Sequence, residues 1–146
     1  MWRWIRQLAA GFRQGGGPGA GVPDLAGRPP VRRRKTYSGD SGYVYEYYYE
    51  GYRVAARGGS AGAEYLFTVS SDRRSWFAVS VFLEDSAVAA WEQAHGRELN
   101  MTERYAVVKM ALFEAFDQRD HPSRMRRGVT IRRESIGPLL EALGID

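Results

Sequence analysis

Residues 43–52 read YVYEYYYEGY and hold six of the nine tyrosines in the chain. Tyrosine and valine favour extended backbone, and a run of alternating residues this long predicts a β-strand over about residues 42–55. Because successive side chains of a strand point to opposite faces of a sheet, one face of this strand is entirely tyrosine. The other face mixes two glutamates with Val44, Tyr48 and Tyr52. The stretch therefore predicts a long strand with one apolar face and one mixed face.

Two further strands follow the first through short connections. Residues 64–70 (EYLFTVS) and residues 76–83 (WFAVSVFL) alternate in the same way. A glycine-rich loop over residues 56–64 and the turn SDRRS over residues 71–75 separate the three strands. Strands joined by connections this short pair with their neighbours, so the sequence predicts an antiparallel meander.

The second half of the chain shows helical periodicity. Residues 86–95 predict a helix that Gly96 ends, since glycine accepts the left-handed backbone of a helix C-terminus. Asn100 and Glu103 have the spacing of a capping box at the start of a second helix. A short strand over residues 128–133 and a last helix complete the order β-β-β-α-α-β-α. This order predicts an α+β two-layer sandwich, with an antiparallel sheet of three to four strands and helices on one face.

The positive charge of the chain is concentrated near its N-terminus. Residues 1–35 contain eight Lys and Arg and one acidic residue, whereas residues 36–146 contain thirteen basic and sixteen acidic residues. Residues 14–30 are rich in glycine and proline, a composition that buries too little apolar surface to offset chain entropy. We therefore expect a disordered basic tail and linker over residues 1–35, followed by a single α+β domain over residues 36–146.

Residues 1–13 (MWRWIRQLAAGFR) place apolar side chains at helical spacing among three arginines. This is the pattern of a basic amphipathic helix that could lie on an anionic membrane, and the alternative is a frayed tail without a role. No apolar run approaches the about 20 residues that span a bilayer, and no secretory signal core is present. The absence of cysteine excludes disulfides and thiolate metal sites. These features predict a cytoplasmic protein.

The mixed face of the sheet is the main candidate for function. Five sizeable apolar side chains are expected there on an otherwise solvated surface, which indicates a partner, a second protomer or a covering segment. Tyrosine and tryptophan with few lysines are typical of protein interfaces. The predicted interface residues are Tyr48, Tyr52, Leu66, Trp76 and Phe82. The chain is therefore predicted to be a small non-catalytic protein-interaction or homodimerisation module.

Three glutamates, Glu46, Glu50 and Glu64, are expected to be solvent-exposed on the same mixed face. Their charge would repel phosphate, which argues against a base-stacking platform for RNA. Glu46 and Glu50 would lie about 13 Å apart on a strand, because each residue adds about 3.3 Å. Glycosidase carboxylates are about 5–9.5 Å apart, so this pair does not indicate glycoside hydrolysis.

An arginine-rich segment supports an alternative hypothesis. Residues 119–133 contain six arginines and one acidic residue, and residues 32–35 read RRRK. Together these runs could form a basic edge that contacts the phosphates of RNA or DNA. The predicted phosphate-contacting residues are Arg32, Arg33, Arg34, Lys35, Arg124, Arg126, Arg127, Arg132 and Arg133.

The sequence predicts no catalytic residue, no metal site and no cofactor. It has only two histidines. His95 falls in the last turn of a predicted helix, where a cation is favourable without any catalytic role, and His121 precedes a proline. An enzyme built from Tyr, Arg, Asp and Glu remains a third hypothesis. It would need a deep pocket that gathers convergent polar groups.

Overall fold

The computed structural model describes residues 24–146, so the predicted amphipathic helix over residues 1–13 lies outside the described residues. The predicted α+β class is confirmed. The strands are β1 (Lys35–Ser38), β2 (Val44–Arg57), β3 (Ser60–Ser70), β4 (Phe77–Glu84) and β5 (Val129–Ile131). The helices are α1 (Asp85–His95), α2 (Met101–Gln118) and α3 (Arg133–Ala142), with a 3-10 helix over Pro122–Arg127.

The described strands form one curled, mixed sheet in the order β1-β2-β3-β4-β5. Strands β1 to β4 pair antiparallel, and β5 pairs parallel to β4. The prediction of a purely antiparallel sheet of three to four strands is therefore wrong in its count and in the direction of β5. The chain returns to β5 through α1 and α2, and a crossover of this kind delivers a parallel strand.

Strands β2 and β3 form a longer hairpin than the sequence predicts. The expected loop over residues 56–64 shrinks to Gly58 and Gly59, whose φ angles are 57° and 82°. Two consecutive left-handed residues match the twist of a two-residue hairpin turn, and glycine adopts that backbone at little cost. The alternation of both strands consequently continues almost to the turn.

A bulge in β2 reverses the faces of the residues that follow it. Tyr49 pairs with Phe67 and Gly51 pairs with Leu66, which leaves Glu50 as the extra residue. Beyond the bulge, Tyr52 lies on the helix-facing side of the sheet with its ring 5.2 Å from that of Tyr65. The expectation that Tyr52 lies on the mixed face is therefore wrong.

The core lies between the tyrosine face of the sheet and the helices. Tyr45 stacks on Phe116 of α2 with the ring centroids 4.1 Å apart, and Tyr47 meets Phe67 edge-on at 6.2 Å. Trp91 of α1 and Leu140 of α3 belong to the same buried cluster. Aromatic side chains bury about 150–250 Å² each, so the tyrosine stretch supplies much of the apolar surface that stabilises the fold.

The local signals for the helix ends are confirmed. The Asn100 side chain accepts a hydrogen bond from the Glu103 N–H at 2.8 Å, and a Glu103 oxygen accepts from the Asn100 N–H at 3.0 Å. Gly96 follows α1 with a φ of 67°. Each feature depends only on residues within one turn of the chain, which is why the sequence reveals it.

Residues 24–34, which composition assigns to the tail, lie along the edge of β2. Ala26 exchanges two backbone hydrogen bonds with Tyr52, at 2.8 and 2.9 Å. Strand β1 then pairs with residues 44–47, on the other side of the bulge. The Tyr37 hydroxyl of β1 donates to Asp117 at 2.9 Å, which joins this edge to α2.

The fit between this segment and the bulge can be tested at Gly51. Its φ is 127°, and an added Cβ would lie 2.7 Å from the Ala26 carbonyl oxygen and 2.8 Å from the Leu25 Cβ. We expect Gly51→Ala to lower the free energy of unfolding by about 3 kcal/mol or more. Gly58→Ala is the matched control, because nothing lies within 4 Å of its Cβ position. It should cost about 1–2 kcal/mol, and equal losses in urea denaturation would contradict the packing of this segment.

The buried tyrosines predict a loss of stability in alkali. Burial raises the pKa of Tyr47 and that of Tyr65 to about 12, against an ordinary value of 10. The unfolded chain therefore loses these protons first, so their contribution is complete below pH 10 and disappears as the pH rises through 12. Burial also lowers the pKa of Lys109, which acts in the opposite direction but is a single group.

The measurement is urea denaturation at pH 8 and pH 11, with tyrosinate absorbance recorded in parallel. The unfolding midpoint should fall at the higher pH. Tyr47→Phe should show a smaller fall than the wild type, because it has no phenol to ionise. Titration of every tyrosine near pH 10 with the fold intact would contradict the prediction.

Candidate functional site

Arginine side chains cover the mixed face of the sheet. Five arginines come from the segment before β1, from β2 and from the turn between β3 and β4, and they pair with three glutamates. The arginines are Arg32, Arg34, Arg53, Arg57 and Arg73, and the glutamates are Glu46, Glu50 and Glu64. We call this surface, together with Tyr48 and Trp76, the arginine face.

Glu50, the bulged residue, accepts three hydrogen bonds. Arg32 donates from Nε to Oε1 at 3.0 Å and from Nη2 to Oε2 at 2.6 Å, and the Thr68 hydroxyl donates to Oε2 at 2.6 Å. A two-pronged contact of this kind is among the stronger hydrogen-bonding arrangements in proteins. The Glu50 side chain is 7% exposed and that of Arg32 is 48% exposed. The arginine therefore shields the carboxylate and still presents part of its guanidinium to solvent.

The other two glutamates have two arginine partners each. Arg73 Nε donates to Glu46 Oε2 at 2.8 Å, and Arg34 Nε lies 3.6 Å from Glu46 Oε1. The Glu64 carboxylate is held at 2.9 and 2.7 Å, by Arg53 and Arg57. The expectation of solvent-exposed glutamates is therefore wrong. The carboxylates lie beneath the guanidinium groups, so the charge that faces solvent is positive.

The turn that carries Arg73 is held by a network of its own. Arg73 has a φ of 65°, which lies in a backbone region that residues other than glycine rarely adopt. The Asp72 carboxylate accepts from the backbone N–H groups of Arg74 and Ser75, both at 2.8 Å. These hydrogen bonds lower the pKa of the Asp72 carboxyl, and the bond from Ser75 has the larger effect. The turn therefore holds Arg73 over Glu46 despite an unfavourable backbone angle.

Aromatic rings lie between these arginines. The rings of Tyr48 and Trp76 are 5.5 Å apart, and the Arg32 guanidinium carbon lies 4.0 Å from the Tyr48 centroid. Arg57 lies over the Phe82 ring in the same way, at 4.9 Å. Both Tyr48 and Trp76 are half-buried and so remain partly accessible. Cation–π contacts therefore help to fix the side chains of Arg32 and Arg57 over the sheet.

The five predicted interface residues fall into three groups. Tyr48 and Trp76 lie together on the arginine face. Leu66 and Phe82 are on the same side of the sheet but fully buried, and Phe82 fills the space left by Gly62, where a Cβ would lie 2.8 Å from its ring. Tyr52 lies on the helix side, as the bulge requires. The structure therefore brings two of the five residues to an accessible common surface.

The two basic runs lie at opposite edges of the sheet. Residues 32–35 lead into β1, and residues 119–133 contain β5. Arg127 and Arg133 are exposed, as are the other arginines of the second run that were predicted to contact phosphate. Three of these arginines already have partners. Arg124 lies 2.9 Å from Asp120 and Arg132 lies 3.8 Å from Glu84, and the Arg126 guanidinium carbon lies 4.5 Å from the Phe77 ring centroid. The structure does not join the two runs into one edge.

The run of residues 32–35 is also divided between two surfaces. Arg32 and Arg34 reach the arginine face, whereas Arg33 and Lys35 line a cleft on the helix side. This is the alternation of extended backbone. Applied to RRRK, the same period of two would have indicated this division from the sequence.

Two patterns associated with catalysis occur in the chain, and neither is arranged for it. Residues 58–62 (GGSAG) have the spacing of a hydrolase nucleophile turn, but they lie in a β-hairpin and not between a strand and a helix. Glu92 and His95 are three residues apart on α1. However, His95 Nδ1 lies 2.9 Å from the Trp91 carbonyl oxygen, and Glu92 accepts from the Leu99 N–H. Within residues 24–146, no three His, Asp or Glu side chains are placed to hold a metal ion.

The Arg32–Glu50 pair predicts an asymmetric response to mutation. Arg32→Met leaves a buried carboxylate whose remaining hydrogen-bond partner among residues 24–146 is Thr68, so we expect the free energy of unfolding to fall by about 2–4 kcal/mol. Glu50→Gln removes the charge but keeps the acceptor for Thr68, and the freed Arg32 can turn to water. It should therefore cost only about 1 kcal/mol.

The double variant Arg32→Met/Glu50→Gln completes the test. It should be more stable than Arg32→Met alone, because no buried charge remains. Thermal and urea unfolding of the four proteins measure the coupling between the two side chains. Additive losses, or a larger loss for Glu50→Gln, would show that Arg32 does not compensate the buried charge.

In the described part of the chain, no helix has the length and apolar character needed to cross a membrane. Comparison with known protein-family models, with curated proteins and with solved structures yields no match for this chain. The chemistry of the arginine face is therefore the basis for assigning a function.

Proposed function

We propose that the chain is a non-catalytic protein-interaction module that binds its partner through the arginine face. The observation that carries this proposal is a set of half-exposed arginines fixed on buried carboxylates, beside the half-buried rings of Tyr48 and Trp76. Arginine, tyrosine and tryptophan are the residues that most often contribute the binding energy of protein interfaces. Ion pairs and ring contacts already hold these side chains, so less conformational entropy is lost on binding.

Charge indicates the chemistry of the partner. The arginine face has five arginines above three glutamates, and the glutamates lie beneath. An acidic protein surface could give the exposed side of each guanidinium a second carboxylate. Two copies of this face, related by a twofold axis, would bring like charges together. We therefore favour an acidic protein partner over a homodimer.

Nucleic acid fits the arginine face less well than an acidic protein does. Five arginines are offset by three glutamates, so the net positive charge of the arginine face is small for a surface that must neutralise several phosphates. Binding by counterion release requires cations that are free to neutralise several phosphates. The separation of the two basic runs also limits the number of phosphates that one strand can contact.

The proposal is tested with charge insertions on the arginine face. Trp76→Glu and Tyr48→Glu place a negative charge beside the arginines. Met101→Glu is the matched control, since Met101 is half-exposed at the start of α2, where a glutamate suits the helix N-terminus. Circular dichroism establishes that all three variants fold. Partners are captured from cell extract with the wild type, purified, and measured one by one against each variant.

We expect an acidic protein to bind the wild type and Met101→Glu equally, and each face variant at least ten-fold more weakly. Light scattering at low and high salt should show a monomer in the absence of the partner. If the wild type forms a salt-resistant dimer that Trp76→Glu disrupts, the partner of the arginine face is a second copy of the chain and not an acidic protein. Equal binding by all variants would overturn the interaction face. Nucleic-acid binding that falls steeply with salt and weakens in Arg126→Glu/Arg127→Glu would instead favour the alternative function, a basic edge over residues 119–133.

A further inference from the structure

A second surface, on the helix side of the segment before β1, has a different chemistry. A cleft of about 240 Å³ lies between this segment, β2 and α2. Its polar lining is Arg33, Lys35, Tyr47, Tyr49 and Tyr105, and a proline pair closes one side. We call it the tyrosine cleft. Sites for drug-sized ligands occupy about 300–1,000 Å³, so this cleft suits a smaller molecule, of about one ring.

The tyrosine cleft presents hydrogen-bond donors that have no partner within residues 24–146. The hydroxyls of Tyr47, Tyr49 and Tyr105 make no hydrogen bond there, and none of the three is sealed from solvent. Burial raises the pKa of Tyr47 to about 12 and also raises that of Tyr49 and that of Tyr105. The phenols therefore keep their protons at neutral pH and can donate to an acceptor.

The cations beside the cleft have no carboxylate partner among residues 24–146, in contrast to those of the arginine face. Lys35 and Lys109 are its only two lysines. Lys109 Nζ lies 5.4 Å from the ring centroids of Tyr105 and Phe113. No Asp or Glu of residues 24–146 forms an ion pair with either lysine or with Arg33. On the arginine face, in contrast, every arginine has a glutamate.

The two lysines flank one ring of the cleft: Lys35 lies opposite Tyr47 in the sheet, and Lys109 Nζ lies 5.7 Å from the Tyr47 ring centroid. Burial is the main reason that the pKa of Lys109 is lowered, and the charge of Lys35 is the second. An anion between the two ammonium groups would remove this repulsion and accept their hydrogen bonds. Residues 1–23 contain no Asp or Glu, so no side chain of that segment can supply the anion.

We propose that the tyrosine cleft binds a small planar organic anion, with its carboxylate or phosphate between Lys35 and Lys109 and its ring against the tyrosines. The aromatic walls offer faces and edges for a flat apolar group. The phenols add donors around the charged group. The cleft and the arginine face lie on opposite sides of the sheet edge. Binding at each site can therefore be tested separately.

The experiment uses the full chain with isotope-labelled lysine, which gives side-chain NMR signals from two residues only. Phenyl phosphate and benzoate are the two ring-bearing anions. Inorganic phosphate supplies an anion without a ring, and benzyl alcohol a ring without a charge. We expect at least one ring-bearing anion to shift the signals of both lysines saturably and to raise the pKa of Lys109. Inorganic phosphate and benzyl alcohol should bind at least ten-fold more weakly.

Variants assign the binding to the cleft. Lys109→Met and Lys35→Gln should each weaken the ring-bearing anion at least ten-fold, measured by calorimetry. Arg124→Gln, at an exposed arginine outside the cleft, should leave the affinity unchanged. Lys35 lies at the exposed start of β1, so Lys35→Gln should not disturb folding. This variant therefore reports on binding even if Lys109→Met affects folding.

The relative affinity of phenyl phosphate and benzoate identifies the anionic group that the natural ligand carries, and either order supports the proposal. The proposal is overturned if neither ring-bearing anion shifts the lysine signals. It is also overturned if inorganic phosphate binds as tightly as phenyl phosphate, or if Lys35→Gln binds like the wild type.

Discussion

The ion pair between Arg32 and Glu50 connects the segment before β1 to the bulge of β2, and both candidate sites depend on it. Arg32 and Arg34 reach the arginine face only because this segment lies along the sheet edge. The same placement makes Arg33 and Lys35 a wall of the tyrosine cleft. Backbone hydrogen bonds between Ala26 and Tyr52 hold the segment at one further point. A single buried carboxylate, with its arginine and Thr68, therefore positions residues of two separate surfaces.

The bulge makes this arrangement possible. With regular pairing, Tyr52 would point to the same side as Tyr48. The extra residue turns Tyr52 to the helix side, where it lies against Gly27, and a Cβ on Gly27 would be 2.8 Å from its ring. Gly51 makes room for Leu25 and Ala26 in the same way. The glycines allow backbone and ring to approach closely, so the bulge and the segment fit as a unit.

Features set by neighbouring residues could be predicted from the sequence, and features set by distant contacts could not. The Asn100 capping box, the Gly96 helix end and the long alternation before the bulge are local. The Arg32–Glu50 and Arg73–Glu46 contacts join residues 18 and 27 positions apart. Since no local pattern specifies such pairing, the sequence predicts exposure for Glu46 and Glu50 of β2 and for Glu64 of β3, although arginines cover all three. The bulge could not be predicted from the sequence either, because a change of register depends on how the partner strand pairs.

Of the predicted interface, Tyr48 and Trp76 remain accessible and Leu66 and Phe82 do not, for a related reason. Alternation correctly placed all four on one side of the sheet. It does not show which of them are buried. An arginine lies over Phe82 and over Tyr48 alike, but Phe82 also fills the space beside Gly62 and is fully buried.

The choice of cation distinguishes the two surfaces. A guanidinium is planar and presents a fixed fork, so it can bind a carboxylate, lie on a ring and still offer free N–H groups. Arg32 does all three on the arginine face. An ammonium group is a compact point charge whose hydration a ligand must replace. Both lysines of the chain lie beside the tyrosine cleft, where Lys109 is half-buried and therefore poorly hydrated, whereas Lys35 is exposed. This difference is the reason that we propose a large acidic surface as the partner of the arginine face and a small anion as the ligand of the cleft.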